Sequence, residues 1–101
     1  LIVRVMAERI DAAAALKFKD ALRELTGAAS HVALDLRDVQ FVDSSGLGAI
    51  VAVMKLMGTT RRLDLAGLTP TVDKVFRLTR MDSIFTIHGS VDDIPKLYQA
   101  G

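Results

Sequence analysis

Two adjacent hydroxyls, Ser44 and Ser45, stand between a carboxylate and two glycines in Phe41-Val42-Asp43-Ser44-Ser45-Gly46-Leu47-Gly48. The segment follows a short apolar run, Val32 to Leu36, and opens a long one, Ala49 to Met57. A strand and its loop therefore give way to a helix at the two serines. Asp and Ser are helix-capping residues, and glycine lets the backbone turn tightly and be approached closely. A serine on such a corner is within reach of another protein. A phosphate placed on it would lie at a helix N-terminus, where free N–H groups and the helix dipole favour negative charge.

Other chemistries find less support. A hydrolase elbow would read Gly-x-Ser-x-Gly, whereas this chain has Asp43-Ser44-Ser45-Gly46-Leu47-Gly48. The only candidate bases, His31 and His88, have no triad-like spacing and read as structural residues at strand ends. Gly46-Leu47-Gly48 lacks the third glycine and the Lys-Ser/Thr of a phosphate loop. With two scattered histidines and no cysteine, neither a metal site nor a disulfide is expected, and no cofactor. Asp35 interrupts an apolar strand and is expected at its exposed end. A supporting role for it in phosphotransfer is the lesser reading.

The elements that position these residues alternate. Leu1 to Met6, rich in β-branched residues, reads as a strand. Asp11 caps a helix in which Ala14, Phe18, Ala21, Leu22 and Leu25 form one apolar stripe, with Lys17, Lys19, Asp20, Arg23 and Glu24 expected in water and Gly27 as the stop. Val32 to Leu36 reads as a buried central strand, and Phe41 and Val42 as anchors of the following loop. A second helix is expected from Ser44 to Met57, a third strand from Arg62 to Ala66, and a helix started by Thr69-Pro70-Thr71 that turns Val72, Val75, Phe76 and Thr79 inward. Ile84 to His88 reads as a fourth strand, and Ser90 or Asp92 opens a last helix ending near Ala100. Such alternation implies βαβ units and a largely parallel sheet.

Advancing about 100° per residue from Ser45 puts Leu47, Ile50, Val51, Met54 and Met57 on the sheet side of the second helix. Ala49, Ala52 and Leu56 then fall within about 40° of Ser45. Charges would be ordinary there, but the strip is small and apolar. It reads either as buried by a neighbouring helix or a second copy, or as a docking surface for a different protein.

The chain has 101 residues, enough for one domain with one core. Half of it is hydrophobic, a quarter is charged, and the net charge is +1. That balance fits a globular protein and gives no electrostatic case for nucleic acid or an anionic membrane. Arg61-Arg62 reads as a solvated start to a strand. The run Ala49 to Met57 is too short to cross a bilayer. A reducing cytoplasm suits a chain without cysteine.

Val32-Ala33-Leu34-Asp35-Leu36 followed by Phe41-Val42-Asp43-Ser44-Ser45-Gly46-Leu47-Gly48 resembles the signature of STAS domains, most closely those of bacterial anti-sigma factor antagonists. The order of elements fits from Leu1 to Tyr98. The resemblance implies a single α/β domain over residues 1–101, with a mostly parallel sheet of four or five strands and about four helices. It also implies a non-catalytic switch. The second serine of the pair, here Ser45, would take phosphate from an anti-sigma factor that is a serine kinase. The unphosphorylated antagonist would bind that kinase and free a sigma factor, and a PP2C-type phosphatase would reset it. Asp43, Ser44, Gly46, Gly48 and Asp35 would support the site, and Ala49, Ala52 and Leu56 would meet the partner. The resemblance also admits other roles for the fold: a scaffold in signalling complexes, a regulatory domain of an anion transporter, or a component of lipid transport. Two departures stand out. Glu8 occupies the turn where the family usually has glycine, and the family usually carries one more strand at the start. That, with the missing initiator Met, is expected of an excerpt from a longer chain.

Overall fold

Along β3 (His31–Asp35) and β5 (Arg62–Ala66), successive side chains point to opposite faces of a sheet. In the computed structural model, which describes residues 1–27 and 29–94, this alternation divides the molecule. Four parallel strands run in the order β1-β3-β5-β6, with β1 at Ile2–Arg4 and β6 at Thr86–His88. The register pairs Val32 with Leu63 and Leu34 with Leu65. These four side chains face the helices and enter a core with Ile50 and Val53 of α2 (Ser44–Met57) and Val72 and Phe76 of α3 (Pro70–Leu78). On the opposite face Ala33 and Ala66 pack against Val91 and Ile94. β3 lies between β1 and β5, with one face under the helices and the other packed by the Val91 and Ile94 segment, and all five of its residues are buried.

A second, two-stranded parallel pairing joins β2 (Arg9–Ile10) to β4 (Phe41–Val42) and holds the loop ahead of α2 against the start of α1 (Ala12–Thr26). Ile10 and Val42 are buried, and the Arg9 guanidinium lies 4.3 Å from the centre of the Phe41 ring. Asp11 caps α1 by accepting the Ala14 N–H at 3.2 Å. Gly27 and Gly58 end α1 and α2 with positive φ, 40° and 71°, a region that glycine enters without a Cβ penalty.

Several expected details differ. The first and last strands are shorter than Leu1–Met6 and Ile84–His88. Ile84 is exposed, because a 3₁₀ turn at Met81–Ser83 carries the chain past the sheet edge before β6 begins. In α1 only Leu22 of the stripe is fully buried, whereas Ala21 and Leu25 are exposed. β1 is the edge strand of the sheet, and Ala21 and Leu25 line an open crevice beside Val3 and Arg4. Thr69 sits at the start of α3, but its hydroxyl donates to the Val39 carbonyl at 2.9 Å instead of capping the helix. Thr79 is exposed and donates back to the Val75 carbonyl at 2.7 Å. Ser90 accepts the Asp92 N–H and opens a 3₁₀ turn at Val91–Asp93. The remainder of the expected last helix lies outside the described residues.

Candidate functional site

The serine corner is built from its cap outward. Asp43 is the N-cap of α2, its Oδ1 accepting the Gly46 N–H at 2.9 Å while its carbonyl accepts the Leu47 N–H at 2.9 Å. This satisfies donors that a helix start would otherwise leave open. Ser44 is therefore the first helical residue, and the capping role belongs to Asp43. Ser44 and Ser45 are both exposed. Neither hydroxyl is bonded to another described residue.

The two glycines do different work. Gly46 is buried, and a Cβ there would stand 2.0 Å from the Ile10 carbonyl oxygen. Only a residue without a side chain lets α2 begin against the β2 backbone. The close approach at Gly46 is thus made by the chain's own strand. Gly48 has open space around its missing Cβ and lies bare on the surface.

α1 and α2 pack side by side, and a groove of about 320 Å³ runs between them. Ser45, Gly48, Ala49 and Ala52 form its α2 wall. Ala12, Ala15, Leu16 and Lys19 form the α1 wall. The apolar strip is therefore not uniformly free. Ala49 is only 7% exposed beneath α1, Ala52 is half-buried, and Leu56 is 53% exposed. Exposed apolar surface continues instead onto α1, where Leu16 is 66% exposed. Lys19, expected in water, is half-buried in the groove.

Asp35 is not at an exposed strand end. It is 1% exposed, and its carboxylate accepts the Arg37 side-chain Nε–H at 2.7 Å and the Arg37 backbone N–H at 3.1 Å. The loop that follows β3 folds back over the carboxylate and supplies its partners. Asp35 lines a separate crevice with Arg37, Gly67 and Gly89, so the groove beside Ser45 and the crevice at Asp35 are distinct.

A second polar centre was missed by sequence reasoning. Asp64, 1% exposed on β5, accepts from Arg62 Nε at 2.8 Å on one oxygen. Its other oxygen lies 2.9 Å from His88 Nε2 and 3.3 Å from His31 Nε2. Burial pushes the His31 imidazole below the ordinary histidine value, against the pull of the Asp64 carboxylate, and the nearby Arg62 lowers it further. The period-two run Arg62, Asp64, Ala66 was the available signal, since it marks a sheet face that is not uniformly apolar.

The STAS domain family model matches residues 1–94, and the chain belongs to that family. Among solved structures, a proposed anti-sigma factor antagonist from Thermotoga maritima is 24% identical, with a TM-score of 0.82 over 97% of this chain and 87% of that one. An anti-sigma factor antagonist from Mycobacterium paratuberculosis is 22% identical, with a TM-score of 0.84 over 97% of this chain and 84% of that one. The Bacillus cell fate determinant SpoIIAA in its phosphorylated form is 22% identical, with a TM-score of 0.60 over 85% of this chain and 79% of that one. At these identities the likeness is one of fold. No helix among the described residues is long and apolar enough to cross a membrane.

Proposed function

We propose that this domain is an anti-sigma factor antagonist, a non-catalytic switch in the bacterial cytoplasm. In this reading the unphosphorylated domain binds an anti-sigma factor that is a serine kinase. Phosphorylation of Ser45 releases that partner, and a PP2C-type phosphatase restores binding. The observation that carries the reading is the Ser45 hydroxyl, exposed at the capped start of α2 and opening onto a groove with apolar walls. Family membership and the names of the structural relatives are consistent with it.

Transfer would form a bond between Ser45 Oγ and the γ-phosphorus of ATP and break the bond to the β,γ-bridging oxygen, releasing ADP. The serine proton needs an acceptor. Asp35 is buried with Arg37 in a separate crevice and does not serve, and on this reading the acceptor is a base of the kinase. The domain contributes an accessible hydroxyl at a helix N-terminus, where a phosphate is tolerated by the helix itself. The partner would cover Ala52 and Leu56, together with Leu16 of α1. A group carrying about −1.5 to −2 charges beside that contact must be desolvated on docking, and each 1.4 kcal/mol of penalty is about tenfold in affinity.

Calorimetric titration of the kinase with variants tests this. Ser45→Ala is expected to bind and to take no phosphate. Ser45→Asp is expected to bind at least about tenfold more weakly. Its melting temperature should stay within about 3 °C of the unmodified domain. Equal binding by Ser45→Asp would dismiss the switch.

A further inference from the structure

Ser45 shares its groove with a cation, Lys19, which stands about two helical turns further along the α1 wall. Among the described residues, the half-buried lysine and arginine side chains are Lys19 and Arg61. Arg61 is held by backbone carbonyls, donating to Met57 at 3.2 Å. Among the described residues Lys19 has no hydrogen-bond or ion-pair partner, although it lines the α1 wall of the groove that Ser45 borders. Among the described residues no carboxylate lines that groove. The nearest capping acids are engaged, Asp11 by the Ala14 N–H and Asp43 by the Gly46 N–H. Ion pairing is otherwise common here, in Arg4–Asp38, Arg23–Asp20, Arg62–Asp64 and Arg77–Asp73. A half-buried lysine with no counter-charge among the described residues, on a flexible four-carbon stem, is available to an anion that arrives in the groove.

We propose that Lys19 is the internal counter-ion of phosphorylated Ser45. The pair draws the phosphoryl group across the groove between α1 and α2 instead of leaving it in solvent. Resting on the phosphoacceptor reading of Ser45, this adds a regulatory step to it. The modification fills the groove, over the bare surface at Gly48 and Ala52, and so removes the docking space as well as adding charge. Lys17, exposed two residues earlier, does not line the groove and takes no part.

The test places phosphoserine at position 45 during translation and follows its second ionisation by phosphorus NMR. An opposite charge favours the dianion, so the pairing lowers the titration midpoint. The expected midpoint lies about half a pH unit lower in the parent than in Lys19→Met, the size of a half-exposed ion pair. Lys19→Arg should keep the low midpoint, and Lys17→Met should leave it unchanged. Coincident titration of the parent and Lys19→Met overturns the proposal, as does an equal shift in Lys17→Met, which would mark a general field. Lys19→Gln replaces Lys19→Met should the latter melt early. Because the phosphate is installed without a kinase, this result is independent of partner binding. Failure of the unmodified domain to bind a kinase would remove the functional reading and leave the titration standing.

Discussion

The two faces of the sheet treat polar groups in opposite ways. On the outer face Asp64 is enclosed, with Arg62, His31 and His88 all directed at its two oxygens. On the helical side Ser45 and Lys19 border one groove, and neither has a partner among the described residues. The outer cluster is richer in titratable groups and would draw attention as an active centre. Yet its groups neutralise one another, which describes a fastener. The serine corner has fewer ionisable groups, and those that line the groove are unspent. On the proposed reading, availability, more than the number of charged residues, separates the interaction site from the structural one.

The comparison can be broken at either end. Asp64→Ala should cost about 3 kcal/mol or more, since it removes the buried carboxylate on which Arg62, His31 and His88 converge. Ser45→Ala should change stability by less than about 0.5 kcal/mol. Urea denaturation of the two variants checks the contrast, and equal losses would erase it. Gly46→Ala comes next, with an expected loss of about 2 kcal/mol, because its methyl would press on the Ile10 carbonyl from 2.0 Å.

The third effect is one of pH. His31 is held below its ordinary value of 6.5, so the unfolded chain takes up the proton first as pH falls. Its contribution to stability is fully present above that value. It is lost as pH drops through the ordinary value towards the lower folded one. Melting temperatures between pH 7.5 and pH 5 should therefore fall with acidity, and His31→Gln should flatten that slope. The slope should be unchanged in Ser45→Ala. The smallest effect is a gain. Gly48→Ala should add about 0.5–1 kcal/mol, since open space surrounds its missing Cβ and alanine is the better helix former.

Much of the serine corner was legible in the sequence because its parts are contiguous. The bounds of α2, from Ser44 to Met57, follow from a capping residue, an apolar run and a terminal glycine. The buried character of β3 follows from its unbroken apolar sequence. What stayed hidden depended on neighbours distant in the chain. Residues 31, 62, 64 and 88 meet only because β5 lies between β3 and β6, an order that local pattern does not encode. Ala49 is covered because α1 lies beside α2, so a helical wheel of α2 alone left open whether it met a neighbouring helix or a partner. The burial of Lys19 has the same cause. Asp35 looked like a strand end facing water because its partner, Arg37, reaches it only once the loop turns back.

Arg61 supplies a last consequence. Its guanidinium donates to the carbonyls of Met57 and Leu56 at the end of α2 and to that of Gly27 at the end of α1. Positive charge at two helix C-termini is favourable to both. One residue thus clasps the helix pair at its base, away from the serines. The gauge of the slot is tied from within the chain, and on the proposed reading a docking partner would give up less of its affinity to shutting the jaws.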